Sequence, residues 1–194
     1  MVQCLQLPCR FEDFRFWSRR WASFYFFALN RIETFSTDVS LNGLKYLGER
    51  AKDLDLMITT QLHKNKTKID YPDNFLDGVL SFHVLYYISI EEFKVMILEI
   101  NRILKKRGNF MFTMRTENDS RKFDSCQESE YAFKIPEFDA NSHKNIEGGI
   151  SMLFVNEEMI SRNLAGLFDY QINKYSSEFD GKLNDNFVVY CEKI

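Results

Sequence analysis

Five residues are candidates for binding a ligand or reacting with it, because each ends or follows an apolar run of strand length. They are Asp38, Val39, Ser81, Phe82 and His83. Open α/β sheets bind ligands beyond the carboxyl ends of their strands, where we expect these residues to lie. There an aspartate can accept two hydrogen bonds from neighbouring hydroxyls, and an imidazole can act as a general base. Asp38 is also compatible with capping a helix, and His83 with packing beneath a ligand.

The sequence around Asp38 predicts a strand followed by a helix. Residues 34–40 predict a short strand that ends at Asp38, and Ser40 suits the N-cap of the next helix. An apolar stripe at helical spacing then continues to about residue 52, formed by Leu44, Leu47 and Ala51. Residues 58–62 predict the next strand, and a polar loop follows it.

The sequence around His83 repeats this arrangement. Residues 77–84 form a nearly continuous apolar run, which is typical of a strand buried on both faces. Residues 91–104 predict a helix whose capping box is Ser89 with Glu92, and residues 109–114 predict another strand. This alternation of strands and helices predicts a parallel sheet covered by helices.

The C-terminal third predicts a different connection. Residues 115–149 lose regular periodicity and predict an irregular lid or insertion. A helix over residues 157–167 precedes two strands, 168–178 and 186–192, which a tight turn makes antiparallel. The predicted fold is therefore α/β: a three-layer, doubly wound Rossmann-like sheet, mostly parallel, with a C-terminal antiparallel hairpin.

Composition excludes several classes of protein. The 194 residues are 45% hydrophobic and carry a net charge of −3, which favours one core and a small-molecule substrate over nucleic acid or an anionic membrane. The four cysteines show no CxxC spacing and the three histidines are scattered, so we expect no metal site. Without a membrane span or signal peptide in the sequence, we expect a cytoplasmic protein. The oligomeric state is left open.

Three segments resemble motifs of the class I S-adenosylmethionine-dependent methyltransferases. They are residues 36–40 (STDVS), 71–79 (YPDNFLDGV) and 99–108 (EINRILKKRG). They resemble the family's second strand, the approach to its fourth strand, and its element E-x-x-R-V-L-K-P-G-G. Leu76 stands where Phe is usual, and Lys106 and Arg107 replace Pro and the first Gly. The resemblance covers residues 35–113, and the terminal hairpin agrees with it.

The resemblance implies methyl transfer from S-adenosylmethionine to a small-molecule acceptor. The implied cofactor-binding residues are Asp38, Val39, Asn65, Ser81 and Phe82. Asp38 would accept hydrogen bonds from the ribose hydroxyls, and Asn65 from the adenine amino group, although Asn65 is equally compatible with a loop surface. His83 is the candidate catalytic base. Tyr86 and Tyr87 either line the acceptor pocket or belong to an aromatic core.

The family's glycine-rich loop is missing. The first strand should end in D-x-G-x-G-x-G, yet no glycine precedes Gly43, and residues 14–21 (FRFWSRRW) are bulky and basic. We therefore predict that residues 1–30 are an atypical segment replacing the first strand and loop, ahead of a methyltransferase-like domain over residues 31–194. The segment is compatible with a divergent non-catalytic protein, an aromatic and basic nucleic-acid patch, or a surface amphipathic helix. A nucleotide-dependent oxidoreductase is a further alternative.

A reading-frame shift offers another explanation of the N-terminal segment. The tryptophan codon TGG, read one base later, becomes a glycine codon, so Trp17 and Trp21 both become glycine. One back-translation of residues 12–26 then gives Lys-Ile-Leu-Asp-Phe-Gly-Ala-Gly-Val-Gly-Arg-His-Ser-Ile, an apolar strand followed by the missing loop. In the chain as it stands, Phe14 and Phe16 remain compatible with a strand, whereas Arg15 would be buried there.

The frame-shift hypothesis makes a prediction about the gene. If residues 1–27 are translated out of frame, the nucleotide sequence read one base later must encode an Asp and the G-x-G-x-G loop. Sequencing the gene checks this, and codons that cannot give the loop would contradict the hypothesis.

Overall fold

The computed structural model describes residues 2–5, 22–63, 68–138, 144–145, 147–179 and 181–194. Its helices are α1 (Ala22–Leu29), α2 (Leu41–Asp53), α3 (Ile90–Ile103), α4 (Ser120–Phe123) and α5 (Glu157–Leu164), with a 3-10 turn at Leu85–Tyr87. Its strands are β1 (Val2–Leu5), β2 (Thr34–Asp38), β3 (Ile58–Leu62), β4 (Leu76–Ser81), β5 (Leu104–Thr116), β6 (Cys126–Gln127), β7 (Ala132–Lys134), β8 (Ser151–Val155), β9 (Phe168–Phe179) and β10 (Lys182–Lys193).

The main sheet has the strand order β3-β2-β1-β4-β5-β10-β9. Strands β1 to β5 are parallel, and β10 runs antiparallel to both β5 and β9. Helices cover both faces, since Leu80 packs with Phe24 and Leu47, while its neighbour Val79 packs with the core that includes Phe93. The predicted α/β class and the antiparallel terminal hairpin are confirmed.

A second group of strands extends beyond the carboxyl end of β4. Arg115 of β5 pairs with Phe154 of β8 on one side and with Asn186 of β10 on the other. Strand β8 therefore continues along the edge of β5 that β4 leaves after Ser81. Strands β7 and β6 follow in antiparallel order. We call residues 117–150 the inserted segment; β8 follows it and pairs with β5 beyond the end of β4.

The central position among the five parallel strands is occupied by β1. Val2–Leu5 pairs in parallel with β2 on one side and β4 on the other. This strand lies upstream of Phe14 and Phe16, which were the expected strand residues and lie outside the described residues. Residues 14–21, where the glycine loop was expected, lie outside them as well. The division of the chain at residue 30 stays a prediction.

The two long helices form as their sequences predict. Ser40 accepts a hydrogen bond from Gly43 N at 3.1 Å and begins α2, while Ser89 and Glu92 form a complete capping box at the start of α3. The buried residues of α3 recur at three- and four-residue steps: Phe93, Met96, Ile97, Ile100 and Ile103. Burial of each such side chain contributes roughly 1.5–3 kcal/mol. These helices therefore attach β2 and β4 firmly to their neighbours.

Several predicted boundaries were wrong. Strand β4 ends at Ser81 rather than at residue 84, because His83 adopts a left-handed backbone conformation (φ 59°) that no strand continues. Strand β5 begins at Leu104, directly after α3, rather than at residue 109. The region expected to be irregular contains α4, β6 and β7, and the largely apolar strand β8 was not predicted.

An ion pair explains why the E-x-x-R motif of α3 matters to the fold. Arg102 uses all five of its N–H donors, on Glu99 and Asp73 and on the carbonyl oxygens of Ile69 and Tyr71, at 2.7–2.9 Å. Glu99 in turn accepts from Ile69 N at 3.0 Å. The hydrogen bond from Arg102 holds the pKa of Glu99 below its usual range, against the opposing effect of burial. The pair thereby fixes the loop between β3 and β4.

Replacing Arg102 should destabilise the protein. We expect Arg102→Ala to cost about 2 kcal/mol in the free energy of unfolding, because two buried main-chain carbonyls and Glu99 lose their partner. Arg102→Lys should recover only a small part, since an ammonium group cannot reach all of these acceptors. Urea denaturation measures both changes. The matched control is Arg50→Ala, which removes an exposed pair with Asp53 at 3.8 Å and should cost under about 0.5 kcal/mol. Equal losses at both positions would contradict this account.

Candidate active site

The parallel strands bring the predicted site residues to one edge of the sheet. Asp38 ends β2 and is 4% exposed, and its Oδ1 accepts a hydrogen bond from Ser40 N at 2.8 Å. Val39 follows it and packs partly buried against the core. The carboxylate thus accepts a hydrogen bond from the connection that leads to α2, and it lies at the edge of the sheet where a ligand is expected. The capping alternative and the binding prediction are therefore compatible.

His63 is a neighbour of Asp38 that the sequence did not indicate. It directly follows β3, is 7% exposed, and its main-chain N donates to Asp38 O at 2.8 Å. Burial lowers the pKa of its imidazole, and Nε2 has no hydrogen-bond partner among the described residues. A buried imidazole therefore follows β3 at the same edge of the sheet as Asp38. Asn65, the residue predicted for this region, lies outside the described residues.

The end of β4 holds the second group of candidates. Ser81 is fully buried, and its Oγ has no partner in the part of the chain that the structure describes. Phe82 is 45% exposed. The ring of His83 lies between two aromatic rings, with centroids 4.2 Å from Phe82 and 6.0 Å from Tyr86. Its main-chain N donates to Thr113 Oγ1 of β5 at 2.8 Å.

A buried charge network connects the site to the inserted segment. Arg115, which is 5% exposed, donates from Nη1 to Asp119 Oδ2 at 2.7 Å, and its guanidinium carbon lies 4.6 Å from the ring centroid of Tyr86. Glu147 accepts hydrogen bonds from Tyr87 Oη at 2.6 Å and from Arg121 Nε at 2.7 Å. The network therefore joins β5, α4, the 3-10 turn and the end of the inserted segment.

The same network reaches the terminal hairpin. Asp119 is fully buried and also accepts from Asp185 N at 3.1 Å, while Arg121 Nη1 donates to Asn184 Oδ1 at 2.6 Å. Asp185 accepts hydrogen bonds from the hydroxyls of Thr116 and Ser176. Because each buried carboxylate has several donors, the ions are compensated.

The charges shift the pKa of Glu147. Burial by itself raises this pKa, but Arg121, Arg115 and the Tyr87 hydroxyl outweigh burial and hold it below the ordinary value of 4.5. Gly148, next in the chain, lies so close to Glu137 that a Cβ atom would be 2.6 Å from Glu137 Cα. The turn that presents Glu147 therefore requires glycine at this position.

The network predicts an acid-sensitive contribution to stability. Because the folded-state pKa of Glu147 is lowered, its contribution is fully present above about pH 4.5 and is lost as the pH falls through the folded-state pKa. We expect Glu147→Gln to cost about 2 kcal/mol at pH 7 and progressively less towards pH 3. Thermal unfolding across this pH range measures the difference.

The matched control for Glu147→Gln is Glu117→Gln. The Glu117 side chain is 48% exposed and pairs only with Lys122 among the described residues, at 3.4 Å. Its replacement should change stability by under about 0.5 kcal/mol at pH 7. A pH-independent loss for Glu147→Gln would contradict the assignment.

The described residues include no helix long and apolar enough to cross a membrane. Within the same ranges, His, Cys, Asp and Glu form no group of three that could hold a metal ion. The predicted residues that the structure does bring to one edge are Asp38, Val39, Ser81, Phe82 and His83.

The comparisons with known proteins agree with this architecture. The family model described as a methyltransferase domain matches residues 21–112. No curated protein matches the sequence. A SAM-dependent methyltransferase from Methanosarcina mazei has a TM-score of 0.70 at 14% identity, over 99% of this chain and 92% of that one.

Two further solved structures are similar. An S-adenosylmethionine-dependent methyltransferase from Clostridium acetobutylicum gives a TM-score of 0.63 at 13% identity, over 99% of this chain and 84% of that one. The 1,6-didemethyltoxoflavin-N1-methyltransferase of Burkholderia thailandensis gives a TM-score of 0.65 at 11% identity, over 99% of this chain and 70% of that one. At these identities the structures show a shared fold. The resemblance predicted from the sequence is therefore confirmed: residues 21–112 match a methyltransferase domain, and the chain has the fold of the class I S-adenosylmethionine-dependent methyltransferases.

Proposed function

We propose that the carboxyl edge of this protein's sheet is a site for methyl transfer from S-adenosylmethionine to a small-molecule acceptor, and that the N-terminal segment impairs this activity in the chain as it stands. The observation that carries the proposal is the placement of Asp38 and His83 at that edge, within a segment matching a methyltransferase domain. The Burkholderia thailandensis relative, solved with 1,6-didemethyltoxoflavin and S-adenosylhomocysteine, supports a small acceptor.

The residues at the edge suit this cofactor chemically. The Asp38 carboxylate, at the end of β2, is the type of group that accepts hydrogen bonds from two ribose hydroxyls. The buried hydroxyl of Ser81 and the partly exposed ring of Phe82 offer a donor and an apolar surface nearby in the sheet. Val39 and Asn65 remain proposed cofactor contacts. The cofactor supplies a methyl group already activated on a sulfonium.

Methyl transfer mainly requires that the protein align the two reactants. Holding the acceptor in line with the activated methyl group supplies most of the reduction in the barrier. A base is needed only for an acceptor that must lose a proton, and His83 is the proposed base in that case. Tyr87, tied to Glu147 by a 2.6 Å hydrogen bond, is proposed to border the acceptor rather than to react.

Two other functions remain distinguishable from methyl transfer. A nucleotide-dependent oxidoreductase of Rossmann type would continue with parallel strands, whereas β10 runs antiparallel to β5. A non-catalytic protein on the same scaffold would not bind the cofactor. Cofactor binding therefore separates the remaining alternatives.

We expect the N-terminal segment to weaken cofactor binding. The bulky and basic residues 14–21 stand where the family has its glycine loop, and glycine permits close approach of backbone to ligand. Calorimetric titration of this chain with S-adenosylmethionine should give weak or no binding. Micromolar affinity would contradict this expectation.

A variant with the glycine loop restored tests the proposed function directly. Residues 12–21 are replaced by Lys-Ile-Leu-Asp-Phe-Gly-Ala-Gly-Val-Gly, the part of the shifted-frame sequence that ends with the loop, so that α1 and its buried Phe24 stay unchanged. We expect this variant to bind S-adenosylmethionine at least about tenfold more tightly, about 1.4 kcal/mol, because backbone donors can then approach the ligand. Adding Asp38→Ala should remove the gain, whereas the exposed Asp53→Ala should not. Failure of the restored variant to bind would contradict the proposed function.

A further inference from the structure

His83 sits in a turn that needs external support. Its φ of 59° lies in the left-handed region, which is unfavourable for a non-glycine residue and persists only where surrounding contacts impose it. The main-chain hydrogen bond to Thr113 Oγ1, at 2.8 Å, is such a contact. Thr113 is 1% exposed, so the bond is shielded from water.

A second contact reaches His83 through an aromatic ring. Arg115 lies two residues after Thr113, and side chains two apart on a strand share one face. The Arg115 guanidinium covers the ring of Tyr86 at 4.6 Å, and the Tyr86 ring meets the His83 ring at 6.0 Å with an interplanar angle of 61°. The imidazole therefore makes an edge contact with a ring that the Arg115 guanidinium also contacts.

Arg115 is itself fixed. Asp119 binds its Nη1 at 2.7 Å, and Glu147 Oε1 lies 4.0 Å from its Nη2. Burial by itself lowers the pKa of Arg115, but the interactions with Tyr86, Asp119 and Glu147 outweigh burial and raise the pKa above its ordinary value. The guanidinium therefore stays charged. Its place over Tyr86 is thus set by ion pairs from the inserted segment.

We propose that Thr113 and Arg115 are positioning residues for His83, Thr113 by holding its backbone and Arg115 by holding its ring through Tyr86. This rests on the proposed function, in which His83 acts on the acceptor. A base must lie within hydrogen-bond reach of the proton that it removes, so orientation matters as much as presence. Neither residue touches the reacting atoms.

The variant Thr113→Val tests the backbone contact, with Thr113→Ser as the matched control. Valine keeps the shape of threonine but removes the hydroxyl that accepts from His83 N, whereas serine keeps it. By NMR we expect amide exchange of His83 to rise about tenfold in Thr113→Val, as for the loss of one hydrogen bond. Its ring resonances should shift as well, and Thr113→Ser should leave both unchanged. Identical His83 signals in the two variants would overturn the proposal.

The variant Arg115→Lys tests the ring contact independently. Lysine keeps a positive charge near Asp119 but has no planar group to cover Tyr86. We expect the ring resonances of His83 to shift while its amide exchange stays within twofold. Unshifted ring resonances would overturn this part of the proposal. Both measurements need no methyl donor, so their failure is distinct from a failure to bind S-adenosylmethionine.

Discussion

The parallel register of β2, β4 and β5 is the constraint on which the site depends. Asp38 and His83 lie far apart in the sequence, and they come to the same edge of the sheet because parallel strands end there, while Thr113 of β5 binds the main chain of His83. Side chains alternate between faces, so a slip of one residue in β2 would turn the Asp38 carboxylate to the opposite face of the sheet. Burial of Phe35 in the large core opposes such a slip. The pairing of β2 with β1 on one side and β3 on the other opposes it as well.

The sequence predicted those parts of the fold whose signals are local. The capping box of Ser89 with Glu92 joins residues three apart, and the stripe on α3 repeats within one helix, so both are visible in a short window. The bond between His83 and Thr113 joins residues 30 apart, and that between Asp185 and Asp119 joins residues 66 apart. No local pattern encodes such pairs. The available signal was a threonine and an arginine, Thr113 and Arg115, that alternate with Phe112 and Met114 in the buried half of β5.

The buried charges of the inserted segment serve a purpose other than raw stability. Removing Arg115 and Asp119 from water is costly, and their attraction repays this only because Glu147, Arg121 and the hairpin complete the hydrogen bonds. An apolar contact can form in many relative arrangements of the packed segments, whereas these hydrogen bonds and ion pairs form together in only one arrangement. We infer that the network selects a single placement of the inserted segment beyond the end of β4, and that Tyr86 and Tyr87 transmit that placement to the site.

Stability of the fold and capacity to bind the cofactor draw on different parts of the chain. Among the described residues, the large core begins at Phe35 and ends at Cys191, whereas the smaller core on the other face includes Phe24 of the N-terminal segment. Strand β1 fills the centre of the five parallel strands with four residues, Val2–Leu5. The family's cofactor loop, by contrast, would fall between β1 and α1, where glycine is absent. A change confined to the residues between β1 and α1 can therefore abolish cofactor binding while the core persists. Membership of the fold and activity of this chain thus require separate evidence.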